Sequence, residues 1–185
     1  QPSPSASASP EATVDPVLAC VARLPLDVRI GQTMLVTTTD IARVQEWLDD
    51  GLIAGILSNG SLTPALAGAL EEATTGNQYG ALLAADEEGG LVQRYRDVIG
   101  PIPSAQQQAR TMTPDEVRAL YADHGEALAD WGVDLVFAPV VDVGNGPGIG
   151  SRAYSDDPLV VAEDGTAAAR GYSDAGVLPV LKHFP

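Results

Sequence analysis

The chain reads as an α/β protein built on a parallel sheet, and three observations carry that reading. Apolar runs recur at spacings of roughly 25–45 residues with capped helical stretches between them, the layout of βα units. The runs are near-continuously apolar rather than alternating, as in strands covered on both faces. No two-residue hairpin signal interrupts the series. Five strands of this kind can form an open doubly wound sheet or the first part of an eight-stranded barrel.

Taken in order, residues 16–22 and 26–32 are short helical pieces split by Pro25. Residues 34–38, MLVTT, are the first strand. Asp40 caps a helix that runs through Asp50, and Gly51 stops it. Residues 52–57 are the second apolar run. Thr63 caps the next helix with Pro64 in its first position, and the helix ends near Gly76. Residues 81–85 form the third strand. Residues 87–112 read as a long loop. Thr113, Pro114 and Glu116 then make a full capping box for a helix to about Trp131, where Gly132 ends it. The fourth strand and its exit occupy 133–143. After a glycine-rich loop, Asp157 and Pro158 open a helix to about Ser173, and 177–183 is the fifth strand.

Composition narrows the function. The formal net charge is −15, which argues against partners that are themselves anionic, nucleic acid and acidic membrane surfaces alike. No apolar run approaches the ~20 residues of a membrane-spanning helix. The one cysteine, Cys20, leaves no intrachain disulfide, and its apolar surroundings predict a packed thiol. Two histidines, His124 and His183, with no HxxxH and no paired cysteine give no metal site, and no cofactor is expected. Residues 1–13, QPSPSASASPEAT, have the composition of a flexible tether, a kind that often follows a removed secretory signal or a lipid-anchored cysteine. The expected location is therefore secreted or cell-surface, with an anchor conceivable before Gln1. Asn59-Gly60-Ser61 fits the glycosylation sequon, a common chance match.

The chemistry gathers at strand ends. Residues 84–94, AADEEGGLVQR, deliver Asp86, Glu87 and Glu88 from an apolar run into a loop hinged on Gly89 and Gly90, with Arg94 close behind. Asp142 and Lys182-His183 likewise end predicted strands, the edge where parallel α/β sheets bind ligands. Successive side chains on a strand point to opposite faces, so Asp86 and Glu87 cannot both face one site unless the chain bends. Asp86 with Glu87, Glu88 or Asp142 invites a paired-carboxylate reading. Lys182 could form a Schiff base if desolvated, or donate to a polyol beside His183. GNGPGIG, 144–150, fails the GxGxxG spacing and opens no helix, so it is no dinucleotide loop. It reads instead as a flexible loop that brings Arg152 to the site.

Four ordered segments, AADEEGGLVQR, WGVDLVFAPVVDV, IGSRAYSDDP and GVLPVLKHFP, resemble the N-terminal domain of glycoside hydrolase family 3, and within it the bacterial NagZ-type β-N-acetylhexosaminidases. The resemblance covers roughly residues 24–185. It implies the N-terminal part of a (β/α)8 TIM-type barrel with about five parallel βα units present, residues 14–185 forming an incomplete barrel domain. It implies a retaining glycosidase acting on terminal β-linked N-acetylglucosamine, often from peptidoglycan, and a monomer when complete. It implies sugar-contacting roles for Asp86, Arg94, Arg152, Lys182 and His183. Glu87 stands where many relatives carry Gln. The family's acid/base His-Asp loop and its nucleophilic aspartate follow KHFP and have no counterpart here, so no catalytic residue is assigned within these 185 residues. Two other readings stay open: a Schiff-base lyase using Lys182, and a truncated, non-catalytic sugar-binding remnant.

Overall fold

The computed structural model describes residues 15–38, 40–144 and 146–183, so the tether assigned to 1–13 lies outside the described residues. Two short helices open them, α1 (Pro16–Val21) and α2 (Leu26–Gly31). Strand β1 (Leu35–Val36) leads through α3 (Ile41–Asp49) to β2 (Gly55–Ser58), and α4 (Pro64–Thr74) leads on to β3 (Leu82–Ala85). Next come β4 (Glu87–Gly89), β5 (Val92–Gln93), α5 (Arg96–Ile99), α6 (Ala105–Thr111) and α7 (Pro114–Ala129). Strand β6 (Leu135–Val136), the 3-10 turn Gly150–Arg152, α8 (Pro158–Asp174) and β7 (Leu178–Pro179) complete the order.

Five strands make one sheet in the order β1-β2-β3-β6-β7, and every pair is parallel. Each new strand is added on the same side of the last. A doubly wound sheet reverses direction at a switch point and a barrel does not, so this order agrees with the barrel that the resemblance implies and excludes the doubly wound sheet that the local pattern also allowed. Gly55 permits the closest approach within the sheet: a Cβ there would stand 2.0 Å from the Leu82 carbonyl oxygen.

The helices form where the caps demand them. Thr63 accepts from the Leu66 N–H, Asp157 from Leu159, and Asp40 from Arg43. Thr113 and Glu116 satisfy each other's backbone donors in both directions. Helix α4 packs on β2 and β3, α8 packs on β7, and α7 lies against α8. Ile56, Leu70, Leu83, Leu128, Val136 and Tyr172 are among the side chains of the core.

Two expectations need correcting. Residues 87–112 are not one long loop: β4 and β5 pair as an antiparallel hairpin turned at Gly90-Leu91, and α5 and α6 follow. The hairpin needs Gly89 and Gly90 at positive φ, 89° and 59°, which only glycine adopts cheaply. Its strands carry charged and polar side chains, so no apolar alternation announced it. Cys20 is exposed rather than packed, because α1 buries none of its residues.

Candidate functional site

The three-residue strand β4 and the residue before it decide which way the acids face. Glu87 points into the protein and is fully buried, whereas Asp86 and Glu88 share the opposite face, as strand alternation requires. Lys182, beside the bridge that Val140 makes to it, sends its ammonium between them: Nζ lies 2.7 Å from Asp86 Oδ1 and 2.6 Å from Glu88 Oε1. Arg152 forms a bidentate pair with Glu88, its Nε 2.6 Å from Oε2 and its Nη2 2.8 Å from Oε1. That hydrogen-bonded pairing holds the Arg152 guanidinium above its ordinary value, so it stays charged. Arg94 Nη2 lies 3.5 Å from Asp86 Oδ2.

His183 completes the row. Its Nδ1 is 2.7 Å from Asp142 Oδ2 and its Nε2 is 3.3 Å from Arg152 Nη2. With Nδ1–H donating to Asp142, Nε2 is left to accept from Arg152. Asp86, Glu88, Arg94, Arg152, Lys182 and His183 line an open cleft of about 440 Å³ with Leu57, Val92 and Phe137. The structure thus brings all five sequence-assigned residues, Asp86, Arg94, Arg152, Lys182 and His183, to one place. Among the described residues no cluster of His, Cys, Asp and Glu could hold a metal ion.

Sequence reasoning missed the centre of the network. Glu88 is only 2% exposed at its side chain and, among the described residues, ties Arg152 to Lys182. Period-two alternation from Asp86 was the signal that could have found it. The geometry fits neither an Asp86–Glu88 acid and nucleophile pair nor the Schiff-base reading of Lys182. Asp86 and Glu88 are bridged by one ammonium rather than standing free as an acid and a nucleophile. A Schiff-base lysine must present a free amine to a carbonyl, and the Lys182 ammonium is held between two carboxylates.

The cluster is balanced in charge. Asp86, Glu88 and Asp142 face Lys182, Arg94 and Arg152 inside a chain whose net charge is −15. Such a cleft offers donors and acceptors without a field that selects a charged ligand.

Residues 25–185 match the glycosyl hydrolase family 3 N terminal domain. The chain belongs to glycosyl hydrolase family 3. It is 42% identical over 164 residues to the beta-hexosaminidase LpqI of Mycobacterium tuberculosis, an alignment covering 85% of this chain and 42% of that protein. Among solved structures, a GH3 family glycosyl hydrolase from Mycobacterium smegmatis superposes with a TM-score of 0.83 at 40% identity, over 89% of this chain and 52% of that one. A beta-N-acetylhexosaminidase from Beutenbergia cavernae superposes with a TM-score of 0.76 at 28% identity, over 88% and 54%. The family 3 chain described here therefore spans about half, or less, of the length of these relatives.

Proposed function

We propose that these residues are the sugar-binding part of a family 3 glycosidase that removes terminal β-linked N-acetylglucosamine with retention of configuration. The observation that carries the reading is the charge-balanced cluster on one sheet edge of a chain in this family. A neutral sugar presents hydroxyls that both donate and accept, and charge-assisted bonds hold them best. Asp86 keeps lone pairs beyond those given to Lys182 and Arg94, enough to accept from ring hydroxyls. Lys182 keeps one of its three N–H donors after serving Asp86 and Glu88. His183, 43% exposed at its side chain, is the member most open to solvent and forms the rim of the cleft.

The site's work in this reading is to bind and orient the terminal sugar, while the groups that break the bond are supplied by the rest of the protein. A beta-hexosaminidase relative at 42% identity and a beta-N-acetylhexosaminidase structure at 28% identity support the N-acetylhexosamine specificity. Secretion or surface anchoring belongs to the same proposal and rests on the composition of residues 1–13.

The test is hydrolysis of a chromogenic β-N-acetylglucosaminide by the 185-residue chain and by the longer protein read from the gene. Activity confined to the longer protein, with Asp86→Ala and Lys182→Ala each lowering kcat/KM about 10- to 100-fold, is expected, since each removes a charge-assisted bond to substrate worth about 1.5–3 kcal/mol. Unchanged kinetics in either variant rejects the site. Turnover by the short chain rejects the division of labour. Proton NMR of the first-formed product reads retention or inversion directly.

A further inference from the structure

Beneath the cleft lies a buried ionisable pair, Glu87 and His124, that is not part of the cleft lining. Glu87 is 0% exposed, and its Oε2 is 2.9 Å from His124 Nε2 on α7. Its Oε1 accepts from the Tyr95 backbone N–H at 2.7 Å. Its own carbonyl accepts from the Tyr172 hydroxyl of α8 at 2.7 Å, and the next carbonyl, that of Glu88, accepts from the Tyr121 hydroxyl of α7 at 3.1 Å. Burial pushes both phenols above their ordinary range, so both remain O–H donors.

We propose that Glu87 and His124 are positioning residues for the sugar site, acting on it through the backbone of β4 and of residues 94–95. Glu87 sits between Asp86 and Glu88, so fixing its side chain from below fixes the orientation of both acids above. Its second oxygen holds Tyr95, the residue after Arg94, while the Arg94 N–H donates to the Asp86 carbonyl at 3.3 Å. One carboxylate thereby sets three residues of the cleft wall, and Lys182 and Arg152 are placed in turn by the acids it sets. Helices α7 and α8 can reach β4 together because Gly125 and Gly171 let them approach closely. A Cβ on Gly171 would lie 2.4 Å from the Arg118 carbonyl oxygen, and one on Gly125 2.7 Å from Ala175 Cβ. The Tyr121 and Tyr172 rings meet at that crossing with centroids 4.9 Å apart.

This inference rests on the sugar-binding reading, and its test separates the two. In the full-length protein, Glu87→Gln keeps a carbonyl oxygen for Tyr95 and an amide that can donate to His124, whereas Glu87→Leu keeps neither. The expected result is near wild-type kinetics for Glu87→Gln and, at a temperature where both variants stay folded, a KM for the β-N-acetylglucosaminide about tenfold higher for Glu87→Leu. A second readout needs no sugar. Lys182 is the single lysine of this sequence, and its rate of acetylation by an N-hydroxysuccinimide ester can be followed by peptide mass spectrometry. It should be slow in wild type and Glu87→Gln and several-fold faster in Glu87→Leu, whose acids no longer hold the ammonium. A Glu87→Leu protein of lowered Tm but unchanged KM and unchanged Lys182 labelling overturns the proposal. If Glu87→Leu does not fold, His124→Phe against His124→Gln decides by the same two readouts. If the wild-type protein neither binds nor hydrolyses the glycoside, the functional reading fails while the labelling comparison still decides the positioning.

Discussion

Glu88 shows how one side chain can govern a site without being its most visible member. It is nearly buried and meets two cations, and the desolvation of its carboxylate is offset only by their presence. Removing it leaves Arg152 without its bidentate partner and Lys182 with Asp86 alone. Glu88→Ala should lower stability by about 3 kcal/mol in chemical denaturation, the scale for breaking a buried pair. Arg152→Ala should cost about 1–2 kcal/mol, because Glu88 then still holds Lys182 and the arginine is partly in solvent. Equal losses for the two would show that Lys182 gives Glu88 no support. The Glu88 prediction reads folding and the Asp86 and Lys182 predictions read turnover, so the two roles are measured separately.

At the level of elements, the helices are held by their ends and by their closest crossing. Glu116 is kept below its ordinary 4.5 first by the Thr113 backbone N–H and then by the Thr113 hydroxyl. Asp174 is kept below its ordinary 3.8 first by its hydrogen bond from Arg118, which links α7 to α8. A carboxylate whose folded value is depressed adds stability above its unfolded value and loses it as pH falls through the folded one. Acidification below about pH 4.5 should therefore lower Tm, and Glu116→Gln, which retains the capping bonds but not the charge, should show a shallower fall. A Glu116→Gln curve parallel to wild type would assign the acid sensitivity elsewhere. Gly171→Ala should separate α7 from α8 and cost about 1–3 kcal/mol, since the added methyl meets the Arg118 carbonyl and the Tyr121 side chain rather than open space. A thermal shift within error of zero would mean that the crossing relaxes freely.

For the molecule as a whole, the sheet among the described residues has β1 at one edge and β7 at the other, with no further strand on either. Leu178 in β7 and Leu181 just after it are well exposed. Unpaired parallel edges flanked by apolar side chains favour association. The 185-residue chain produced alone should therefore elute as dimers or larger species in size-exclusion chromatography, and the longer protein as a monomer. A monodisperse short chain with two-state unfolding would show that these edges are protected.

The helical caps, the parallel class of the sheet and the placement of Asp86, Asp142 and Lys182-His183 at strand ends were legible in the amino-acid order, whereas the site roles of Arg94 and Arg152 came from the family resemblance. The legible features are written locally: a cap needs residues three apart, and a strand end needs only an apolar run that stops at a charge. The motif segments carried the family as well. The local pattern is shared by singly and doubly wound sheets, so the barrel order was implied by the family resemblance and is shown by the strand pairings. Tertiary structure alone turned residues 87–93 into a hairpin, because that hairpin is stabilised from outside itself, by Tyr121, Tyr172 and the Glu87–His124 pair. And it alone put Glu88 at the centre of the site, joining groups 64 residues apart, a pairing that no local spacing encodes.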